Sequence, residues 1–338
     1  MLLVKVIKHL IGIPRNGNPF FNFMMSLIKR YIVIFLLISC SGKEELPTDF
    51  WMSWEPFETS YEVERLERIE IFSPIGVSRG PSTLEEASGL VYSRKNPGYL
   101  WSHQDKGNDN RLFLIDNHSG VTVAAYRLIG MHNRDWEDIE IGPGPEEGVD
   151  YLYLGDVGDN DQVYHQYTIY RFEEPLFEEA HRGKIIGLEL PFDKIIFDYP
   201  DKSHDVETLL VDPVTRDIYL ATKRDFWSML FVAPYPQPVE EKFTLIHVGN
   251  FSFKRALAGN VSADGNEVLI KNDDRIFYWK RRPGERFVDM MARTPVRAPY
   301  DPVEAQGEAI CFDDLGGYYT LSEFSNGIVP ELYYYSTD

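Results

Sequence analysis

Beyond residue 60, apolar positions seldom recur at the three-to-four spacing of a helix face. They come instead in short alternating runs, stopped by Gly, Pro, Asp or Asn, and that pattern predicts strands. Five segments share one grammar: EEASGLVYSRKNPGYLWSHQDKG (85–107), RDWEDIEIGPGPEEGVDYLYLGDVGDN (134–160), HDVETLLVDPVTRDIYLATKRD (204–225), ALAGNVSADGNEVLIKNDD (256–274) and EAQGEAICFDDLGGYYTLSEFS (304–325). Each opens on a polar or acidic residue, runs through a first strand, turns, and enters a more apolar second strand that ends in charged or amide residues. Third strands follow in NRLFLIDNHSG, YTIYRFEEP, MLFVAPY, RIFYWKRR and ELYYYSTD.

A repeat of about fifty residues with antiparallel strands is the signature of propeller blades. The fold class expected is all-β, a single β-propeller of five or six blades. The last unit offers only three strands, while YEVERLERIEIFSP (61–74) stands alone before the first. An N-terminal strand completing the last blade would close the ring and remove exposed edges. The stretch 184–202 leaves the blade count open, as an outer strand or part of a sixth blade. A β-sandwich would not explain the recurring grammar, and a β-helix would repeat at a shorter interval.

The one long apolar run lies near the N-terminus, in MMSLIKRYIVIFLLISCSGKEEL. Its apolar segment, about nine residues from Tyr31, is short for a membrane span and suits a cleaved signal. LISC before SG resembles the lipobox of bacterial lipoproteins, in which Cys40 is lipidated. The domains expected are a signal peptide over 1–39, with the natural start at Met24 or Met25, a lipidated tether over 40–60, and the propeller over 61–338. SGKEE after the cysteine resembles an outer-membrane export signal, so the expected location is the outer membrane, facing the periplasm or the outside, with Cys40 in its lipid. The remaining cysteine, Cys311, sits in the alternating strand EAICFDD and reads as a core residue.

The chain of 338 residues carries 34 basic and 53 acidic side chains, a formal net charge of −19. Residues 1–39 hold Lys5, Lys8, Arg15, Lys29, Arg30 and no acid, so their removal takes the net charge to −24. Such a surface excludes nucleic acid as partner and favours a cationic ligand. The acids are also patterned. In a propeller the first strand of each blade starts on the face to which the second returns. One channel mouth therefore collects Glu86 and Ser88, Asp135 and Glu137, Asp205 and Glu207, Gly259 and Asn260, and Gln306 and Glu308. The second strands bring His103 and Asp105, Asp156 and Asp159, Lys223 and Arg224, Lys271 and Asp273, and Ser322 and Glu323.

Carboxylates crowded on one axis repel unless some are protonated or a cation sits among them. Oxygen donors suit a hard cation, Ca²⁺ first and Mg²⁺ second. The metal set expected is Glu137, Asp138, Glu207, Glu308, Asp156 and Asp159. The competing explanation is that each acid caps its own turn through backbone N–H groups. There is no G-x-S-x-G, P-loop, dinucleotide fingerprint or H-E-x-x-H, so the local signatures of those chemistries are missing. Candidates for catalysis are His103, Asp105, Lys223, Arg224 and Lys271.

The combination of SGLVYSRKNPGYLWSHQDKG, DWEDIEIGPG, YLYLGDVGDN, GNVSADGNEVLIKND and GEAI resembles a group of bacterial secreted β-propellers related in shape to calcium-dependent propeller phytases and their esterase-like relatives. The resemblance spans about 80–338 and implies the propeller fold and a polar ligand site on the channel face. It does not imply phytase activity, because basic residues that would grip phosphate are sparse: Lys223, Arg224, Lys271 and Lys106. Two functions remain. One is a monomeric binding propeller that presents an acidic, Ca²⁺-holding face to a polar small molecule, carbohydrate or protein. The other is a metal-dependent phosphoesterase or esterase using the same face, with the ion held by Glu137, Glu207 and Glu308.

Overall fold

The computed structural model describes residues 50–337. Cys40, the signal segment and the first part of the tether lie outside them. The described chain forms five sheets, and their innermost strands stand side by side in a closed ring. The architecture is an all-β propeller of five blades. From the axis outward, blade I is Ala87–Tyr92, Tyr99–Gln104, Arg111–Asp116 and Thr122–Leu128. Blade II is Trp136–Pro143, Asp150–Asp156, Tyr167–Glu173 and Phe192–Asp198, and blade III is Val206–Val211, Ile218–Thr222, Met229–Ala233 and Ile246–Asn250. Blade IV is Ala258–Val261, Glu267–Lys271, Ile276–Lys280 and Val296–Ala298. Blade V takes Gly307–Phe312, Tyr318–Ser322 and Glu331–Tyr335 from the end of the chain, and Val77–Pro81 from its beginning.

The ring therefore closes as expected, through an N-terminal strand on the last blade, but the strand is Val77–Pro81 and not 61–74. The reason is periodicity. Val63, Leu66, Ile69 and Phe72 recur every third residue, and a pleated strand with period two cannot turn all four to one side. This segment instead crosses blades IV and V as an irregular strap. It exchanges backbone hydrogen bonds with Arg297, whose N–H donates to the Glu67 carbonyl at 2.7 Å and whose carbonyl accepts from Ile69 at 2.9 Å. Phe72 wedges edge-on against Tyr278 of blade IV and Tyr318 of blade V, with ring centroids at 5.7 and 4.9 Å.

The end of the segment read as a tether also lies on the ring. Trp51 is buried beside Tyr219, the Trp54 indole N–H donates to the Val248 carbonyl at 2.9 Å, and Phe57–Glu58 pairs in parallel with Gly249–Asn250. Gly249 permits this, since a Cβ there would stand 2.4 Å from the Phe57 ring. The chain from 50 to 81 thus runs along the outer edges of blades III, IV and V in turn, covering strands that would otherwise present unpaired backbone.

The stretch 184–202 belongs to two blades and makes no sixth. Ile185–Leu188 adds in parallel to the outer strand of blade I, and Phe192–Asp198 is the fourth strand of blade II. Apolar residues on alternate positions of each strand meet the neighbouring blade, as where Trp101 of blade I shares a cluster with Trp136 and Ile139 of blade II.

One irregularity matters for function. The innermost strands of blades I, II, III and V each shift register against their second strand, between Ser88 and Leu90, Trp136 and Asp138, Val206 and Thr208, and Gly307 and Ala309. The inserted residues are Gly89, Glu137, Glu207 and Glu308. Blade IV pairs without a shift and carries no acid there.

The strap should contribute strongly to stability. Phe72→Ala removes a 2% exposed ring from between two blades, and we expect urea unfolding to show a loss of about 3–5 kcal/mol. A loss below about 1 kcal/mol would mean that the strap does not hold blades IV and V together.

Candidate metal centre

A β-bulge re-aims the side chain of its extra residue. At three of the four bulges that residue is a glutamate near the channel axis: Glu137, Glu207 and Glu308 are all buried. Each bulge glutamate of blades II and III is joined by the aspartate two residues earlier, Asp135 or Asp205, both fully buried. The repeat frame placed these aspartates at the mouth without counting them among its ligands. Carboxylate oxygens of Glu137, Asp205 and Glu207 lie within 4.8 Å of one another, as do those of Asp105, Asp135 and Glu137. Glu137 is common to both groups and sits at their centre.

The donors available do not match the acceptors. Lys106 reaches Asp135 Oδ2 at 3.0 Å, Arg224 Nε reaches Asp205 Oδ2 at 2.6 Å, and Asp205 Oδ1 accepts from the Asp159 N–H at 2.7 Å. Lys223 is buried between Glu207 Oε1, which it contacts closely, and Glu308 Oε1 at 3.4 Å. Asp135 Oδ1 and Glu207 Oε2 are buried with no hydrogen-bond partner, and no described residue donates to the Glu137 carboxylate, although Ser88 Oγ donates to its backbone carbonyl at 2.7 Å. Burial pushes the Glu137 carboxyl well above its ordinary range, and Glu207, Asp105, Asp135 and Asp205 add to the shift. Burial likewise raises Glu207 against the pull of Lys223, raises Asp135 against Lys106, and brings Asp105 to about 6. Glu323, beside Glu308 and Asp105, is held at about 8, chiefly by burial.

A set of buried oxygens with raised affinity for positive charge, and no protein donor to satisfy them, fits a hard divalent cation. The loop that follows the strand Asp150–Asp156 completes the setting. Gly158 passes so close that a Cβ would stand 2.1 Å from Glu137 Oε1 and 2.6 Å from Asp135 Cγ. Only glycine admits both carboxylates here, and the GDVGDN run in the sequence was the available sign of it.

Other expected site residues do different work. Asp138 lies beneath the mouth: Oδ2 accepts the N–H groups of Leu209 at 2.8 Å and Gly259 at 3.3 Å, and Oδ1 accepts that of Ile139 at 2.9 Å. It thereby ties the inner strands of blades II, III and IV, satisfying backbone donors that face the channel. Glu140 repeats the device one layer down with Asn260 and Val261, and Asn260 passes it to blade V by accepting from Phe312 N–H at 2.9 Å. A strict strand alternation would send Glu137 and Asp138 to opposite faces; the bulge lets both turn inward.

Asp156 caps the start of its blade, accepting from Arg134 and Asp135 N–H. Asp159 accepts from Val163 N–H, Tyr164 N–H and the Tyr167 hydroxyl at 2.8–2.9 Å. These three aspartates spend their oxygens on protein donors, as the turn-cap explanation requires, and do not join the cluster.

His103 is also elsewhere. Its ring is fully buried between blades I and II, edge-on to Trp136 and packed beneath Gly89, with Nε2 unpartnered. Burial drives its pKa down to about 3, which leaves it neutral and unable to face the acids. Lys271 is fully buried away from the cluster, 3.5 Å from Glu304 and over the Tyr300 ring, and burial lowers its pKa despite Glu304. The signal that separates these residues from the cluster is the strand register, which sequence spacing alone does not give.

No family model matches the chain, and no curated protein does. Among solved structures, a Xanthomonas campestris gluconolactonase, described as important in glucose secondary metabolic pathways, is similar over 85% of this chain and 96% of its own, at 7% identity and a TM-score of 0.46.

Two outcomes follow from the geometry. Gly158→Ala should displace the Glu137 carboxylate and weaken divalent-cation binding at least tenfold in a calorimetric titration, with the fold retained; unchanged affinity would remove Glu137 from the centre. His103 has a folded pKa below its unfolded one, so its contribution is complete above pH 6.5 and is lost as pH falls toward 3. Relative to His103→Gln, the native chain should lose about 2–3 kcal/mol more between pH 7 and 4.5, read from urea unfolding at each pH. Parallel profiles would show an accessible, ordinary imidazole.

Proposed function

We propose that the protein is a lipid-anchored, extracytoplasmic propeller that holds one divalent cation, Ca²⁺ before Mg²⁺, at its channel mouth and uses it to bind a polar, oxygen-rich partner. The observation that carries this reading is the central carboxylate of Glu137, with two neighbouring oxygens on Asp135 and Glu207 that are buried and have no donor. Glu137, Asp135, Asp205 and Glu207 would hold the ion, with Asp105 at its edge. When bound, the ion supplies positive charge that a ligand oxygen can meet. Lys106 and Arg224, 46% and 39% exposed, stand where a ligand's carboxylate or hydroxyl groups would arrive. The partner class is a polar small molecule, carbohydrate or protein surface. The anchor rests on LISC with Cys40 in the sequence. No helix among the described residues is long and apolar enough to cross a membrane.

A second reading, a metal-dependent esterase or phosphoesterase, is favoured by one feature. Asp105 and Glu323, held at about 6 and about 8, stand at the rim and exchange protons near neutral pH, as a general base or acid must. The buried, neutral His103 takes no part in that role.

Calorimetric titration of Ca²⁺ into chelator-stripped protein, with a parallel thermal melt, tests the first reading. Saturable binding and a raised Tm are expected, with a loss of at least tenfold in affinity for Glu137→Gln and for Glu207→Gln. No heat and no shift in the native chain would contradict it. A panel of esters and phosphoesters run with and without Ca²⁺ separates the readings, since turnover lost in both variants would establish the hydrolase.

A further inference from the structure

Among the bulge glutamates, Glu308 is the exception. Its carboxylate is outside both groups of converging oxygens, although it shares the channel mouth. What it meets instead is an ammonium. Lys223 follows the second strand of blade III, and its backbone N–H donates to the Asp205 carbonyl at 2.9 Å, which fixes its position against the cluster. Its side chain is only 9% exposed. The Nζ lies between Glu207 Oε1 and Glu308 Oε1, while the other oxygen of Glu207 is unpartnered.

The two halves of the mouth are therefore treated differently. Toward blades I, II and III, the carboxylates of Asp105, Asp135 and Asp205 surround Glu137 with oxygens to spare. Toward blade V, a compact point charge with three donors stands among the oxygens. We propose that Lys223 is a built-in cation that fills the Glu207–Glu308 half of the mouth and so restricts the protein to one bound divalent ion, on the Asp135–Asp205 side. The inference rests on the proposed cation site and adds the group that sets its stoichiometry. Glu207 is the hinge between the halves, one oxygen on the ammonium and one open to the ion. With the ammonium gone, Glu207 and Glu308, with Glu323 beside them, are the same kind of unmatched oxygen set as the first half, and a second ion becomes the means of matching it.

The test is Ca²⁺ titration of the native protein, Lys223→Met, which keeps an unbranched side chain one atom shorter and loses the charge, and the double variant Lys223→Met/Glu308→Gln. One ion in the native chain, two in Lys223→Met and one again in the double variant support the proposal. One ion in all three overturns it and leaves the cation site standing. No ion in the native chain and one in Lys223→Met would overturn the native cation site while supporting Lys223 as the resident cation. Absence of binding throughout overturns both. Glu308→Gln in the otherwise native chain gives an independent reading if Lys223→Met fails to fold. Because Glu308 serves the ammonium, affinity should stay within about threefold and the count at one; a loss of tenfold or more would make Glu308 a ligand and overturn the assignment.

Discussion

The innermost strand of a propeller blade has neighbouring blades on its flanks and no hydrogen-bonded strand on its channel side, so its backbone donors and the side chains turned inward must satisfy one another. In this protein that constraint is met by acids. Asp138 and Glu140 accept N–H groups from strands one and two blades around the ring, and Asn260 extends the chain of bonds to blade V. Just above them, the bulges bring three glutamates toward the same axis, where no backbone remains to donate. The same residue type, one position apart, is structural in one layer and unsatisfied in the next.

That difference decides the chemistry. A carboxylate that accepts two or three N–H groups has its charge offset, whereas Glu137 has neighbouring carboxylates and no donor, and burial makes each negative charge costly. Lys106, Lys223 and Arg224 offset part of the cluster, each on a different side. The part left over surrounds Glu137, and its oxygens are of the kind that could hold a divalent ion. Blade IV differs: its inner strand pairs without a bulge, carries Gly259 and Asn260 where blades II, III and V carry acids, and supplies structural bonds only.

Much of this was legible in the sequence. The recurring first-strand grammar gave the propeller and the closure of its ring, and it brought Asp135, Glu137, Asp205, Glu207 and Glu308 to one mouth. What sequence could not separate was Glu137 from Asp138, since their roles differ through a one-residue register shift that depends on the partner strand. Asp156 and Asp159 were equally opaque: a turn cap and a metal ligand are both acids beside a glycine, and only the backbone donors distinguish them. The closing strand was misplaced because 61–74 is as apolar as a strand, although its period of three should have argued against one. His103 lies inside the strand Tyr99–Gln104 and is buried against Trp136 of blade II, whereas Asp105 lies just past the strand end, where the pleat no longer fixes its direction.

The measurement that tests the central claim most directly is an anomalous difference map from a crystal of the protein grown with Mn²⁺ in place of Ca²⁺. The account predicts one peak among Asp135, Glu137, Asp205 and Glu207, with oxygen ligands and with Lys223 still lodged between Glu207 and Glu308. A map with no peak at the mouth, and Glu137 hydrogen-bonded to a neighbouring carboxylate through a shared proton, would contradict it and make the acidic cluster a matter of protonation alone.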